Sequence, residues 1–124
     1  MIKVMQLSKR KVISKTPNQF FNFLYQLVAD IRNPREAESL LKDLLKPVEL
    51  KMVARRLAVV YWLDQNRSYN EIKKGLSVST ATVATLAKQL KEKKGFAIAL
   101  EKIKAEEWAG RWAQKISHKF KIRP

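Results

Sequence analysis

The chain has 124 residues, with 26 Lys and Arg against 11 Asp and Glu, which gives a formal net charge of +15. A hydrophobic fraction of 46 % with only 3 Gly and 4 Pro predicts one helical domain rather than a disordered or turn-rich chain. The absence of cysteine excludes disulfides, Cys-ligated zinc and thiol catalysis, and without an apolar run of about 18 residues or a signal-peptide pattern we expect a cytoplasmic protein with no membrane partner.

The excess positive charge is concentrated in particular segments of the chain. Residues 1–15 hold five basic and no acidic residues, and residues 66–94 hold seven basic and two acidic ones. Residues 16–65 are nearly balanced, with seven basic and six acidic residues. Such segregation is typical of surfaces that contact phosphates. We therefore expect a nucleoid-associated protein whose partner is double-stranded DNA. Residues 1–15 are expected to form a flexible basic arm.

Two helices are predicted in the first third of the chain. Thr16 and Pro17 provide a hydroxyl cap and a proline suited to the first helical position. Apolar residues then recur at steps of three and four until Asn33, which the following proline disfavours as a helical residue. Pro34 also opens the second helix, which ends before Pro47. The apolar stripe of the first helix is broader than one neighbouring helix would need.

A long third helix is predicted from Pro47 to about Asp64. Its apolar residues cover nearly the whole circumference, which indicates burial on nearly all sides. A monomer of this size has difficulty burying such a helix, whereas a homodimer can place it at its centre. A well-buried core helix of a monomer is the alternative.

A short helix, a tight turn and a second helix follow. Ser68 and Glu71 have the spacing of a capping box, and Gly75 is predicted to end the short helix in the left-handed conformation. Ser79 or Thr80 caps the next helix. This pair of helices has the organisation of a helix-turn-helix, which we place at residues 68–91.

The last predicted helix runs from Phe96 to about Phe120, after the break at residues 93–95. Trp108, Trp112 and Ile116 recur on it at steps of four, a pattern that favours packing against the core or a partner helix over a membrane surface. We divide the chain into the basic arm, a helical domain at 16–94 and a basic amphipathic extension at 95–124. The fold class is all-α, with about six helices.

The helix-turn-helix carries the predicted DNA contacts. In such motifs the start of the second helix enters the major groove, so its outer residues must be slim and polar. Hydroxyls there can bond phosphates or bases, alanines can contact thymine methyl groups, and lysines bind phosphates. The predicted contact residues are Tyr69, Asn70, Lys73, Lys74, Ser79, Thr80, Ala81, Thr82, Ala84, Thr85, Lys88 and Lys91.

Four segments resemble the Trp repressor superfamily, most closely its small Trp repressor-related proteins. They are Leu45–Leu50 (LKPVEL), Ala54–Leu57 (ARRL), Ser68–Ile72 (SYNEI) and Ser79–Val83 (STATV). The similarity covers roughly residues 41–100. It implies an intertwined homodimer that binds operator DNA through paired helix-turn-helix units and regulates transcription.

The chain departs from the tryptophan-responsive members of that superfamily at the corepressor positions. The resemblance places one corepressor arginine at Arg56, but the second position is Thr85, and Lys46 replaces a threonine. Ser77 stands where the turn usually has glycine. Arg56, Lys46 and Thr85 are therefore the candidate effector-binding residues, and we expect neither a tryptophan corepressor nor any other cofactor.

Neither catalysis nor metal binding is predicted. His118 is the only histidine, so zinc sites and nucleophile–base pairs lack their components, and no Gly-rich phosphate loop is present. Two alternatives to a sequence-preferring regulator remain open. One is a weakly specific architectural DNA binder, since the first turn of the second helix lacks Arg, Asn and Gln. The other is a helical adaptor that binds RNA, the ribosome or a protein through its basic face.

Overall fold

Six helices follow one another in the computed structural model, which describes residues 16–120, and no strand occurs in that range. This confirms the all-α prediction with about six helices, while the basic arm at 1–15 lies outside the described residues. The helices are α1 (Asn18–Asp30), α2 (Pro34–Leu44), α3 (Pro47–Asp64), α4 (Tyr69–Leu76), α5 (Thr80–Glu92) and α6 (Lys94–Phe120).

The chain divides into two compact units between Leu50 and Lys51, inside α3. In the first unit, α1 begins at Asn18, one residue later than predicted, with Pro17 in the capping position and no side-chain cap from that residue. Helix α1 also ends early, at Asp30, because Ile31 is already extended. The helix therefore ends three residues before Asn33, the position whose conformation Pro34 restricts.

Helix α2 begins as the sequence predicts, with a proline at its first position. The side chain of Asn33 caps it by accepting a hydrogen bond from the backbone N–H of Glu36, at 2.9 Å. That contact satisfies one of the unpaired amides of the first turn. Neither α1 nor α2 has a buried residue, so the described part of the first unit has no core of its own in a single chain.

Helix α3 has the predicted bounds, and local signals explain both ends. At its start Glu49 Oε1 accepts the backbone N–H of Lys46, at 2.7 Å. At its end Asn66 adopts a left-handed conformation (φ 62°), and the N–H of Arg67 reaches back to the carbonyl of Trp62, at 3.1 Å. Asparagine tolerates this conformation better than most residues.

The core of the second unit is small and lies where α3, α4, α5 and the start of α6 meet. Its buried residues are Val59, Val60, Ile72, Val83, Leu86 and Leu100. The prediction that α3 is buried on nearly all sides does not hold within one chain. Only Val59 and Val60 of that helix are buried, while Met52 and Val53 are more than half exposed.

The end of α4 differs from the prediction. Gly75 remains helical, and the left-handed residue is Ser77 (φ 53°, ψ 51°), two positions later. Gly75 is required for another reason: a Cβ at this position would lie 2.5 and 2.7 Å from two ring atoms of Trp62. The glycine therefore allows α4 to approach α3 closely, and a serine accepts the strained turn conformation where glycine is usual.

Two polar contacts anchor α6 to the end of α3 within the second unit. The hydroxyl of Tyr61 donates to Glu107 at 2.5 Å, and Lys104 pairs with Asp64 at 2.7 Å. The hydrogen bond to the Glu107 carboxylate raises the pKa of Tyr61, because it holds the phenolic proton beside a negative charge. Helix α6 begins at Lys94, two residues before the predicted start at Phe96.

Candidate nucleic-acid interface

The first helix of the pair, α4, is fixed by the predicted capping box. Ser68 Oγ accepts the backbone N–H of Glu71 at 3.1 Å, and Glu71 Oε1 accepts the N–H of Ser68 at 3.2 Å. Two unpaired amides are satisfied reciprocally, so the helix begins at a defined residue. Ile72 is completely buried and holds α4 against α5.

The second helix, α5, begins at Thr80 with Ser79 as its cap. Ser79 Oγ accepts the backbone N–H of Thr82 at 3.1 Å and lies 2.9 Å from Thr82 Oγ1. Both hydroxyls therefore have partners within the turn. Ser79 and Thr82, which are predicted as DNA contacts, therefore also stabilise the start of α5. Among the hydroxyl groups at the start of α5 that the structure describes, that of Thr80 makes no hydrogen bond within the protein.

All twelve predicted contact residues are exposed on this helix-turn-helix. The residues turned inward are Ile72 on α4 and Val83 and Leu86 on α5, which are buried. The arrangement separates an apolar inner side from an outer side rich in lysine, hydroxyl groups and alanine. No acidic residue lies on α5 before Glu92, at its last position.

The exposed residues of α5 form two faces rather than one. Ala81, Thr82 and Thr85 line an open cavity of about 840 Å³ on the side of α3. Thr80, Ala84, Lys88 and Lys91 do not line it, and their spacing of four, four and three residues places them on one stripe. The sequence could not separate these faces, because the division depends on where α3 lies.

The cavity brings together two of the three candidate effector residues. Arg56 of α3 and Thr85 of α5 both line it, whereas Lys46 belongs to the other unit of the chain. Three further polar residues that sequence reasoning missed also line the cavity: Arg55, Gln89 and Lys93. Gln89 and Lys93 follow Thr85 at steps of four, so helical spacing could have identified them.

The described residues contain no group of three or more His, Asp or Glu side chains able to hold a metal ion. Between residues 16 and 120, no helix has the combination of length and apolar character needed to cross a membrane.

An all-helical chain with a capped short helix, a tight turn and a second capped helix belongs to the helix-turn-helix class of proteins. A family model described as Trp repressor protein matches residues 19–104, and the chain belongs to this family. Its members are DNA-binding regulators rather than enzymes. No curated protein and no solved structure matches the chain. The family match begins in α1 and ends inside α6, so it covers more than the resemblance at residues 41–100.

Proposed function

We propose that this protein binds duplex DNA through α4 and α5 and acts as a transcriptional regulator. The observation that carries the proposal is that every residue of the predicted contact set is exposed on one helix-turn-helix, with four lysines among them. Lys73 and Lys74 on α4, together with Lys88 and Lys91 on α5, supply the phosphate contacts that fix the protein on the duplex. DNA binding implies action in the cytoplasm, in association with the nucleoid.

Base recognition in this proposal uses the outer stripe of α5. Thr80 can donate to or accept from a base edge, and Ala84 can contact a thymine methyl group. Neither side chain makes the bidentate contacts that give the strongest discrimination between bases. This chemistry favours a regulator whose sequence preference depends on DNA shape as well as on direct contacts. It is also the observation that supports the second candidate, a weakly specific architectural binder.

Titration of the wild-type protein against selected and random duplexes tests the proposal and separates the two candidates. A duplex pool enriched by repeated selection should bind about a thousandfold more tightly than random sequence if the protein is a specific regulator. A preference below about tenfold would assign it to the architectural class. The adaptor alternative would replace both if affinity for DNA did not fall as the salt concentration rises, because counterion release accompanies phosphate contact.

We further propose that the functional unit is a homodimer. Among the described residues of a single chain, eighteen large apolar side chains are exposed, and nine of them lie on α1 and α2. Exposed apolar area on this scale is typical of an interaction surface, and α1 and α2 bury no side chain without a partner. Sedimentation at micromolar concentration is expected to show a dimer. A purely monomeric protein would contradict this part of the proposal.

We propose DNA binding without a tryptophan corepressor. Arg56 and Thr85 line the same cavity, but a threonine cannot make the charge-assisted contacts that an arginine makes with a carboxylate. Tryptophan at millimolar concentration should therefore leave the affinity of the wild-type protein for its selected duplex unchanged. The variant Thr85→Arg, which introduces an arginine at the second corepressor position, is the matched comparison for the same titration with tryptophan. A tryptophan-dependent increase in the affinity of the wild-type protein would contradict the proposal.

A further inference from the structure

The C-terminal half of α6 carries an apolar face that no other described part of its own unit covers. Trp108 is 58 % exposed, and Trp112 and Ile116 are each 47 % exposed. The two indole rings lie against each other with centroids 5.7 Å apart. These residues lie beyond position 104, where the family match ends, so the face belongs to a segment outside the family region.

This face points away from the core of its own unit. Leu100 is buried and Ile103 half-buried on the inner side of α6, which is also the side on which Glu107 meets Tyr61. At 3.6 residues per turn, the centre of the stripe of Trp108, Trp112 and Ile116 is rotated by roughly 150° from that side. The stripe is therefore a second apolar face, separate from the one that packs on α3.

We propose that α1 of a second copy of this chain docks on this face, which we call the Trp stripe (Trp108, Trp112 and Ile116). Helix α1 offers a matching surface. Its apolar residues Phe20, Phe23 and Leu24 are 40–57 % exposed. The 13 residues of α1 span about 20 Å, close to the length of α6 from residue 105 to its end. This inference rests on the homodimer of the proposed function and names where one of its contacts lies.

Charge favours α1 as the occupant over a second α6. Arg111 and Lys115 border the Trp stripe, and the amine of Lys115 lies 5.7 Å from the ring centroid of Trp112. From residue 108 to the end, the sequence has five basic and no acidic residues. Pairing of two such segments would bring like charges together. Helix α1 carries no basic residue and one acidic residue, Asp30, so its approach has no such cost.

Cross-linking of differently tagged copies tests the contact directly, because a chain without cysteine gives no background. One copy carries Ile116→Cys and the other Leu24→Cys, and a short bifunctional maleimide joins thiols that lie close together. We expect a product that carries both tags. The matched controls, Ser117→Cys and Asn22→Cys, replace neighbouring polar residues on the same two helices and should give much less of it.

The second measurement is the dimer dissociation constant of the double variant Trp108→Ser with Trp112→Ser. Both side chains are about half exposed in the single chain, so folding should be retained. We expect dimerisation about thirtyfold weaker or more, as for other aromatic anchor residues of interfaces. The single variant Trp112→Phe, with Trp108 retained, keeps an aromatic ring at both positions and should retain most of the wild-type affinity.

The outcomes separate this inference from the proposed function. The inference would be overturned, and the homodimer left intact, if the wild-type dimer were stable, the mixed cross-link did not form and the double variant dimerised as tightly as the wild type. A cross-link confined to copies that both carry Ile116→Cys would assign the stripe to a second α6. Cross-linking only within one polypeptide, when both cysteines are placed in the same chain, would assign the stripe to that chain's own α1. A wild-type monomer would overturn the homodimer as well.

Discussion

Reversing two lysine charges, Lys73→Glu with Lys88→Glu, is expected to weaken binding to the selected duplex by at least about a hundredfold at about 0.1 M salt. Lys73 lies in the last turn of α4 and Lys88 on the outer stripe of α5, and both are exposed. Each reversal removes an attraction to a phosphate and adds repulsion. The weakening should be similar for all duplex sequences, because phosphate contacts position the protein but do not read bases.

The salt dependence of affinity gives a second readout of the same variant. The slope of log affinity against log salt concentration should fall by about one for each phosphate that the variant no longer binds, or by about four for a dimer. Arg35→Glu with Lys51→Glu is the matched control, since it lowers the net charge equally on exposed residues outside the helix-turn-helix. If both double variants weakened binding to the same degree, overall charge rather than these lysines would explain the affinity.

Local signals in the sequence are sufficient to predict the elements that carry the proposed site. The bounds of α3, the capping box of α4 and the Ser79 cap of α5 all depend on residues within five positions of each other. Such interactions are formed by the segment itself, and the sequence alone therefore reveals them. The two-helix unit and its exposed lysines follow from the same kind of signal.

Features that depend on distant contacts cannot be predicted in the same way. The sequence pattern indicates a turn residue at Gly75, but the role of this glycine is to leave room for Trp62, 13 positions earlier in the chain. The division of α5 into a cavity side and an outer stripe depends on the position of α3. The periodicity of Trp108 and Trp112 predicts an apolar face correctly. Periodicity does not distinguish a face buried in the protein's own core from a face that binds a partner.

The close approach at Gly75 leads to an expected stability effect of unusual sign. In a helix, Gly→Ala normally stabilises by about 0.5–1 kcal/mol. At Gly75 the added Cβ would lie 2.5 Å from the nearest ring atom of Trp62, and overpacking costs about 1–3 kcal/mol. We expect Gly75→Ala to lower the free energy of unfolding by about 1–2 kcal/mol, measured by urea denaturation. Gly110→Ala is the control: nothing lies within 4 Å of its new Cβ, so it should stabilise the protein.

The ring of Trp62 is restricted by its neighbours, and we therefore expect the clash to lower the free energy of unfolding. The guanidinium of Arg67 lies 4.2 Å from the centroid of the Trp62 ring, and the ring packs against the buried core. A smaller ring should relieve the contact, so Gly75→Ala should cost less in a Trp62→Phe background than in the wild type. Equal costs in the two backgrounds would show that the indole is not the source of the clash. Equal stabilisation by Gly75→Ala and Gly110→Ala would show that the indole relaxes. In the second case a residue with a Cβ could replace Gly75 without separating α4 from α3, and the orientation of the helix-turn-helix would depend on Ile72 and its buried neighbours.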